Sequence, residues 1–461
     1  MKHSADLSQE KFQEVLLQRV PAKVAWDYCV MPVAQSGGGL KMLAAEAMRR
    51  EKKEELRVIL GCPLEFESRD RVEIIGLIEK TYGVGAEVIE SLTGETKETA
   101  ALDFEAIDQV PNEDATVIRL VNEILKDAIR CGASDIHIEP FENQLQIRYR
   151  VDGILCQAKV SERIRQIAPN LVSRIKIMAK MDIAEKRLPQ DGRIKIKSTT
   201  GELDLRVSIL PSSFGEAIVI RILKSLALLS LEELGFFEDA LSVIRRNLKK
   251  PYGMILITGP TGSGKTTTLY ACLKELNTRE RKIITIEDPV EYKLRGILQM
   301  QIHEKIDFTF AKALRSMLRH DPDCLMVGEI RDLETAEIAI RSALTGHLVF
   351  STLHTNDAAS AITRLIEMGI EPYLVASSVE AILAQRLVRR LDSQGNLHGR
   401  TVVYEFMTMS ERLRELTVER QPASVLQKQA LTEGMVPMIA CGRRKIQQGL
   451  TTEDEIRRVL A

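Results

Sequence analysis

The 461-residue sequence is short of aromatic residues, at 4%, and carries almost no net charge: 64 lysines and arginines face 65 aspartates and glutamates, for a formal charge of −1. Near-neutrality removes any bulk electrostatic case for nucleic acid or an anionic membrane as partner. The shortage of aromatics removes the stacking platforms that single-stranded nucleic acid requires. Cysteine is sparse and scattered: Cys29, Cys62, Cys131, Cys156, Cys272, Cys324 and Cys441 form no CxxC pair. No disulfide framework is expected, and a reducing compartment fits. No apolar run approaches the roughly 20 residues of a membrane span, and the start "MKHSADLSQEKFQEVL" lacks the apolar core of a signal peptide. The chain therefore reads as cytosolic, and its partners must be argued from sites.

What is present is length enough for several cores. Residues 1–90 mix short helical patterns with the turn "AQSGGGL" and end in "VEIIGLIEKTYG", which has the apolar spacing of an amphipathic helix. Residues 91–112, "SLTGETKETAALDFEAIDQVPN", are acidic, poor in aromatics and end in a proline turn, which reads as a linker. Asn112 can cap the next helix, on which Val117, Leu120, Val121, Ile124 and Leu125 share a face.

A mixed α+β domain is expected over 113–225. "SDIHIEP", "QLQIRYRV" and "ILCQAKV" read as strands, the last two joined by the hairpin dipeptide Asp152-Gly153. In "GELDLRVSI", Leu203, Leu205, Val207 and Ile209 alternate with Asp204, Arg206 and Ser208, so Arg206 is presented from a rigid surface. Arg221 interrupts the apolar strand "AIVIRIL". Taken alone, each arginine is equally explained as an edge residue whose head reaches water.

Residues 226–461 declare themselves at "MILITGPTGSGKTTTLY", which begins at Met254. An apolar strand runs into Gly259, Pro260, Thr261, Gly262, Ser263, Gly264, Lys265 and Thr266, with Thr267 next, and then into a helix. That is the Walker A spacing in the context that confirms it. Glycines let backbone N–H groups close around phosphate oxygens, Lys265 adds charge at the β- and γ-phosphates, and the Thr266 hydroxyl can ligate magnesium. "KIITIEDPVEY" delivers Glu287 and Asp288 after a second apolar strand, and "DCLMVGEIRD" delivers Glu329 after a third. Because ligands of parallel sheets sit at strand carboxyl ends, all three acids are candidates for magnesium and the attacking water, against the plain alternative of solvated strand ends.

His347 and His354 bracket the strand in "TGHLVFSTLHTND" and cannot form a helical zinc pair. Each is read as a polar switch for the γ-phosphate or as a satisfied structural histidine. Arg315 and Arg319 lie one helical turn apart in "TFAKALRSMLRHDPD", suited to a phosphate across a subunit boundary or simply to a solvated basic face.

The order Walker A, "TIEDPVEY", "VGEIRD", "TGHLVFSTLHTND" resembles the secretion ATPase superfamily, specifically the type II secretion and type IV pilus assembly ATPases. "ASDIHIEP", "RYRVDG", "LPQDGR" and "DLRVSILPSSFGE" resemble that family's middle domain, "QRVPAKVAWDYCVMPV" its amino-terminal domain, and "LTEGMVPMIACGRRKIQQGLTTEDEIRRV" its carboxyl tail. The resemblance implies an α/β architecture: a RecA-like P-loop ATPase domain preceded by a PAS-like α+β domain and a small α/β amino-terminal domain. It implies a cytoplasmic homo-hexamer, peripheral to the inner membrane, that uses ATP and Mg²⁺. Its partners would be an inner-membrane platform protein and a cytoplasmic domain of a membrane protein docked on the amino-terminal domain, with no nucleic acid. It further implies that Glu287 and Asp288 form an acidic box serving the metal, Glu329 prepares the water, and His347 and His354 form a histidine box. Arg206 and Arg221 then reach toward the γ-phosphate, with Arg315 and Arg319 as a second pair.

One departure stands out. Assembly ATPases commonly carry a tetracysteine zinc-binding insertion where this chain has only "DSQGNLH" between "LAQRLVRRL" and "GRTVVYEFM", so no zinc site is expected. Retraction ATPases lack the insertion too, but they generally lack the first domain. Assembly or secretion is thus expected over retraction, and a nucleic-acid-translocating hexamer is the more distant rival. Some relatives bind cyclic di-GMP in the first domain; no clear copy of that motif is present here.

Overall fold

The computed structural model describes residues 19–36, 38–45, 48–82, 115–198, 201–223 and 229–460. The acidic linker expected over 91–112 and the Asn112 cap lie outside them. The chain divides into two compact units, Met1–Lys224 and Ser225–Ala461. Each has its own sheets and cores.

The first unit contains two sheets. β1 (Val30–Ser36), β2 (Gly39–Ala45) and β3 (Leu64–Arg69) form a small sheet in that order, β1 antiparallel and β3 parallel to β2. The parallel pair needs a crossover, which the helix Arg50–Leu60 supplies. The amphipathic pattern near the end of this region becomes the helix Arg71–Tyr82, whose Ile74 and Ile78 are buried with Leu40, Met42 and Leu56.

The second sheet of this unit is wholly antiparallel, in the order β6-β5-β4-β9-β8-β7. Its strands are β4 (Asp135–Pro140), β5 (Leu145–Val151), β6 (Ile154–Gln157), β7 (Gln190–Ser198), β8 (Gly201–Ser212) and β9 (Gly215–Leu223). Asp152 and Gly153 both have positive φ, at +47° and +87°, as the tight hairpin between β5 and β6 requires. One face of the sheet is apolar: Ile136, Ile138, Leu205, Val207, Ile218 and Ile220 pack with Leu120 and Ile124 of the helix Ala115–Arg130. The opposite face carries the alternate residues, Arg206 and Arg221 among them.

The second unit is built on a seven-stranded sheet in the order β12-β11-β13-β14-β10-β15-β16. β10 (Gly253–Thr258), β11 (Ile283–Glu287), β12 (Leu298–Gln301), β13 (Cys324–Val327), β14 (Leu348–Leu353) and β15 (Val379–Leu391) are parallel; β16 (Leu397–Thr408) closes one edge antiparallel to β15. Every residue of β10, β11, β13 and β14 is buried. Helices cover both faces of such a sheet, which is why these strands read as unbroken apolar runs. "DSQGNLH" forms the turn of the β15–β16 hairpin and the start of β16, with Asp392 accepting the amides of Gln394 and Asn396. No helix among the described residues is long and apolar enough to cross a membrane.

Candidate active site

Register alone brings the chemistry together. Val327 pairs with Ile286 on one side and with Ser351 on the other, and Leu353 pairs with Thr258. The residues just beyond these strand ends, Asp288, Glu329, His354 and the loop from Gly259 to Thr266, therefore share one edge of the sheet. This is the edge at which open α/β sheets take ligands.

The glycine loop is held from behind. The helix Lys265–Leu276 starts on Gly264, and its first unpaired N–H groups face the loop. Gly259 has φ +151°, and a Cβ there would stand 2.5 Å from the Gln385 carbonyl oxygen and 2.6 Å from Ser263 Oγ, so only glycine fits. Gln385, fully buried on β15, donates Nε2–H to the Ser263 carbonyl at 2.8 Å and accepts the Thr268 hydroxyl at 2.9 Å. Lys265 Nζ donates to the carbonyls of Gly259 at 2.7 Å and Pro260 at 3.2 Å. Burial lowers the Lys265 pKa, the negative charge of Glu329 opposes that, and Arg386 adds to the lowering. The lysine and the acid thus share one electrostatic environment.

Glu329 sits in a turn pinned by three hydrogen bonds: Gly328 N–H to the Ile286 carbonyl at 2.8 Å, Ile330 N–H to that of Thr352 at 3.1 Å, and the Thr352 hydroxyl to that of Gly328 at 2.7 Å. Its side chain is 15% exposed; one oxygen pairs with Arg331 and the other lies 3.4 Å from His354 Nε2. Hydrogen bonding to Glu329 raises the Arg331 pKa, and the charge of Asp288 acts in the same direction. Asp288 itself is exposed at the end of β11. The Thr258 hydroxyl accepts the Thr355 amide at 2.8 Å and so ties the loop after His354 to the strand that launches the phosphate loop.

Two expected site residues stand elsewhere. Glu287 is 3% exposed and turned inward: Tyr270 donates to Oε2, while Thr285 at 2.6 Å and Gln299 at 3.2 Å donate to Oε1. Burial pushes its carboxyl up, with the Thr285, Tyr270 and Gln299 hydrogen bonds working against that. His347 precedes β14 whereas His354 follows it. At about 3.3 Å per residue, the strand separates them by roughly 20 Å. His347 Nδ1 lies 3.0 Å from the Ser342 carbonyl at the amino end of the sheet.

Arg315 and Arg319 are both exposed. Their partners are Glu334, 2.5 Å from Arg315, and the Arg315 carbonyl, 3.0 Å from Arg319, rather than Lys265, Glu329 or His354. Arg206 and Arg221 belong to the first unit, directly opposite each other on β8 and β9. Gln385, Arg331 and Arg386 escaped the motif reading. Their one sequence signal is polar side chains breaking "LAQRLV" and following "GE"; Arg331 pairs locally with Glu329, while the long-range partners of Gln385 and Arg386 are not visible there.

A phosphate loop carrying its lysine on a central parallel strand, with a paired glutamate beyond the end of β13 two places along the sheet, defines a RecA-like P-loop ATPase. The chain belongs to the type II/IV secretion system protein family, whose model matches residues 111–458, and a MshEN domain matches residues 2–87. It is 42% identical to the type II secretion system protein E of Xanthomonas campestris pv. campestris, across 98% of this chain and 86% of that one. It is 41% identical to the type IV pilus assembly ATPase PilB of Myxococcus xanthus, across 96% and 86%. Among solved structures, the pilus retraction motor PilT with bound ADP aligns with a TM-score of 0.53 and 29% identity over 73% of this chain and 95% of that one. The chain is accordingly a secretion and pilus ATPase of the protein E and PilB kind.

Proposed function

We propose that this ATPase is the motor subunit of a homo-hexameric ring, held at the cytoplasmic face of the inner membrane by partners, that drives addition of pilin-like subunits to a fibre in type II secretion or type IV pilus biogenesis. The observation that carries this reading is the convergence of Lys265, Glu329, His354 and Asp288 on one sheet edge in a chain matching both protein E and PilB over nearly its whole length. The MshEN match over 2–87 supports assembly or secretion over retraction.

In this reading the loop amides from Gly259 to Thr267 and the Lys265 ammonium receive the β- and γ-phosphates. The Thr266 hydroxyl, on the first turn of its helix, and the exposed Asp288 carboxylate fit a magnesium ion and would hold it. That ion neutralises charge on the phosphoryl oxygens when bound. Glu287, its oxygens engaged inside the domain, anchors the end of β11 and so positions Asp288 rather than ligating the ion itself. Glu329 orients or deprotonates the attacking water, with Arg331 and His354 fixing its two oxygens. His354 senses the γ-phosphate beside it, and we assign His347 a structural role at the other end of the strand. Arg206 and Arg221 reach the γ-phosphate from the first unit, and Arg315 and Arg319 serve a neighbouring copy. Arginines in such positions are worth about 10³ to 10⁵ in rate. Movement follows from the different affinities of open and closed arrangements for ATP and ADP.

The deciding experiment is ATP turnover by the full chain alone, with the cytoplasmic part of a cognate platform protein, and with DNA. Stimulation by the platform fragment is expected. Stimulation by DNA alone would replace this reading with that of a nucleic-acid translocase.

A further inference from the structure

Five strands of the middle sheet align one row of charges. Arg150 on β5 faces Asp135 on β4, Asp135 faces Arg221 on β9, Arg221 faces Arg206 on β8, and Arg206 faces Arg193 on β7. Their neighbours Ile136, Leu205, Ile220 and Ile194 are buried on the core side, so strand alternation sets the row on the opposite face. Like charges directly opposite each other on antiparallel strands repel. Left to that repulsion, the exposed Arg221 side chain would sample many rotamers.

Asp135 opposes this. Its side chain is 10% exposed, and Oδ1 receives Arg221 Nε–H at 2.9 Å while Oδ2 receives the Ser134 hydroxyl at 2.7 Å. The Arg221 side chain is 59% exposed. With Nε engaged at the root of the guanidinium, the two terminal nitrogens are left as an outward fork, the geometry that matches phosphate oxygens in a bidentate fashion. With the guanidinium end open to water, the pair's charge attraction is screened, so what Asp135 contributes is chiefly orientation.

We propose that Asp135 is a positioning residue for ATP turnover: it holds Arg221 by Nε so that the guanidinium fork is presented in one orientation to the nucleotide phosphates. The proposal rests on the reading of Arg221 as a γ-phosphate arginine. Asp135 touches no reacting atom and acts through Arg221 alone.

The test is a double-mutant cycle in the full-length ATPase, with kcat, KM for ATP and melting temperature measured for Asp135→Asn, Arg221→Ala and the pair. Asn keeps the shape and one neutral acceptor but loses the charge that holds the guanidinium. We expect Asp135→Asn to lower kcat by about 10- to 100-fold, as misorientation of a catalytic group does, with KM and melting temperature nearly unchanged. Adding Asp135→Asn to Arg221→Ala should cost nothing further. A full additional loss in the double variant, or a fall in melting temperature of the same size in both backgrounds, would show that Asp135 acts structurally and would overturn the proposal. Wild-type turnover in Asp135→Asn alongside a crippled Arg221→Ala would overturn it as well. Wild-type turnover in Arg221→Ala would instead remove the reading of Arg221 itself.

Discussion

Glu329 stands between the Arg331 guanidinium on one oxygen and the His354 imidazole on the other, and its charge is felt by Lys265 across the loop. That placement separates it from Glu287, an acid of the same kind at the end of a neighbouring strand. In sequence the two look alike, each following an apolar run. The difference lies in Tyr270, Thr285 and Gln299, which close around Glu287 and leave Glu329 at the edge. Two of these partners come from other elements, and so the burial of Glu287 could not be read from its own segment. Replacing Glu329 by Gln keeps its size and removes the charge that can accept a proton from water. Hydrolysis is expected to fall by about 10² to 10⁴-fold while ATP binding persists, so that the variant retains unhydrolysed nucleotide after gel filtration. Rapid turnover in Glu329→Gln would return the role of preparing the water to another group.

At the scale of elements, the apolar strands ending in Walker A, in Asp288 and in Glu329 were legible because a strand buried on both faces must be continuously apolar. Sheet order was not legible. Gln385 acquires its part in holding the phosphate loop only because β15 lies next to β10. The His347 and His354 pair shows how far periodicity reaches: the intervening strand was readable, and its length already implied that the two rings lie at opposite ends.

The carboxyl-terminal helix Glu453–Leu460 is attached through a charge. Glu455, 3% exposed, binds Arg389 of β15 at 2.5 Å and Arg458 at 2.7 Å. Burial disfavours its charge, but the hydrogen bonds from Arg458 and Arg389 outweigh that and bring its carboxyl to about 2, below an ordinary 4.5. A depressed folded-state pKa means that the stabilisation is complete above 4.5 and is lost as pH falls through 2. Glu455→Gln should therefore weaken the attachment by about 3 kcal/mol at neutral pH. The gap between variant and parent should narrow as pH drops below 4.5, as read from amide exchange in that helix. A gap that stayed constant with pH would mean that packing by Ile456, not the ion pair, holds the helix.

For the whole molecule, the roles proposed for the arginines bear on how many copies a working site needs. Each unit carries a pair: Arg206 and Arg221 on the face of the middle sheet opposite its apolar core, Arg315 and Arg319 exposed on the ATPase unit and partnered away from Lys265 and Glu329. On the residues alone each arginine is equally explained as a solvated cation, and only the family resemblance points them toward phosphate; which copy's nucleotide they would then serve is a property of assembly and is absent from a single chain. If Arg315 serves a neighbour in a head-to-tail ring, Lys265→Ala and Arg315→Ala damage different subunits of the same site. Each pure variant should be nearly inactive. When equal amounts are mixed and allowed to exchange, a site needs an intact lysine on one copy and an intact arginine on the next, so roughly a quarter of sites recover in such a heterologous ring. ATP turnover of the mixture, followed against mixing ratio, measures this directly. Activity in the mixture no greater than the mean of the two pure variants would mean that Arg315 serves its own chain or the fold, and the shared-site reading of the second arginine pair would fall.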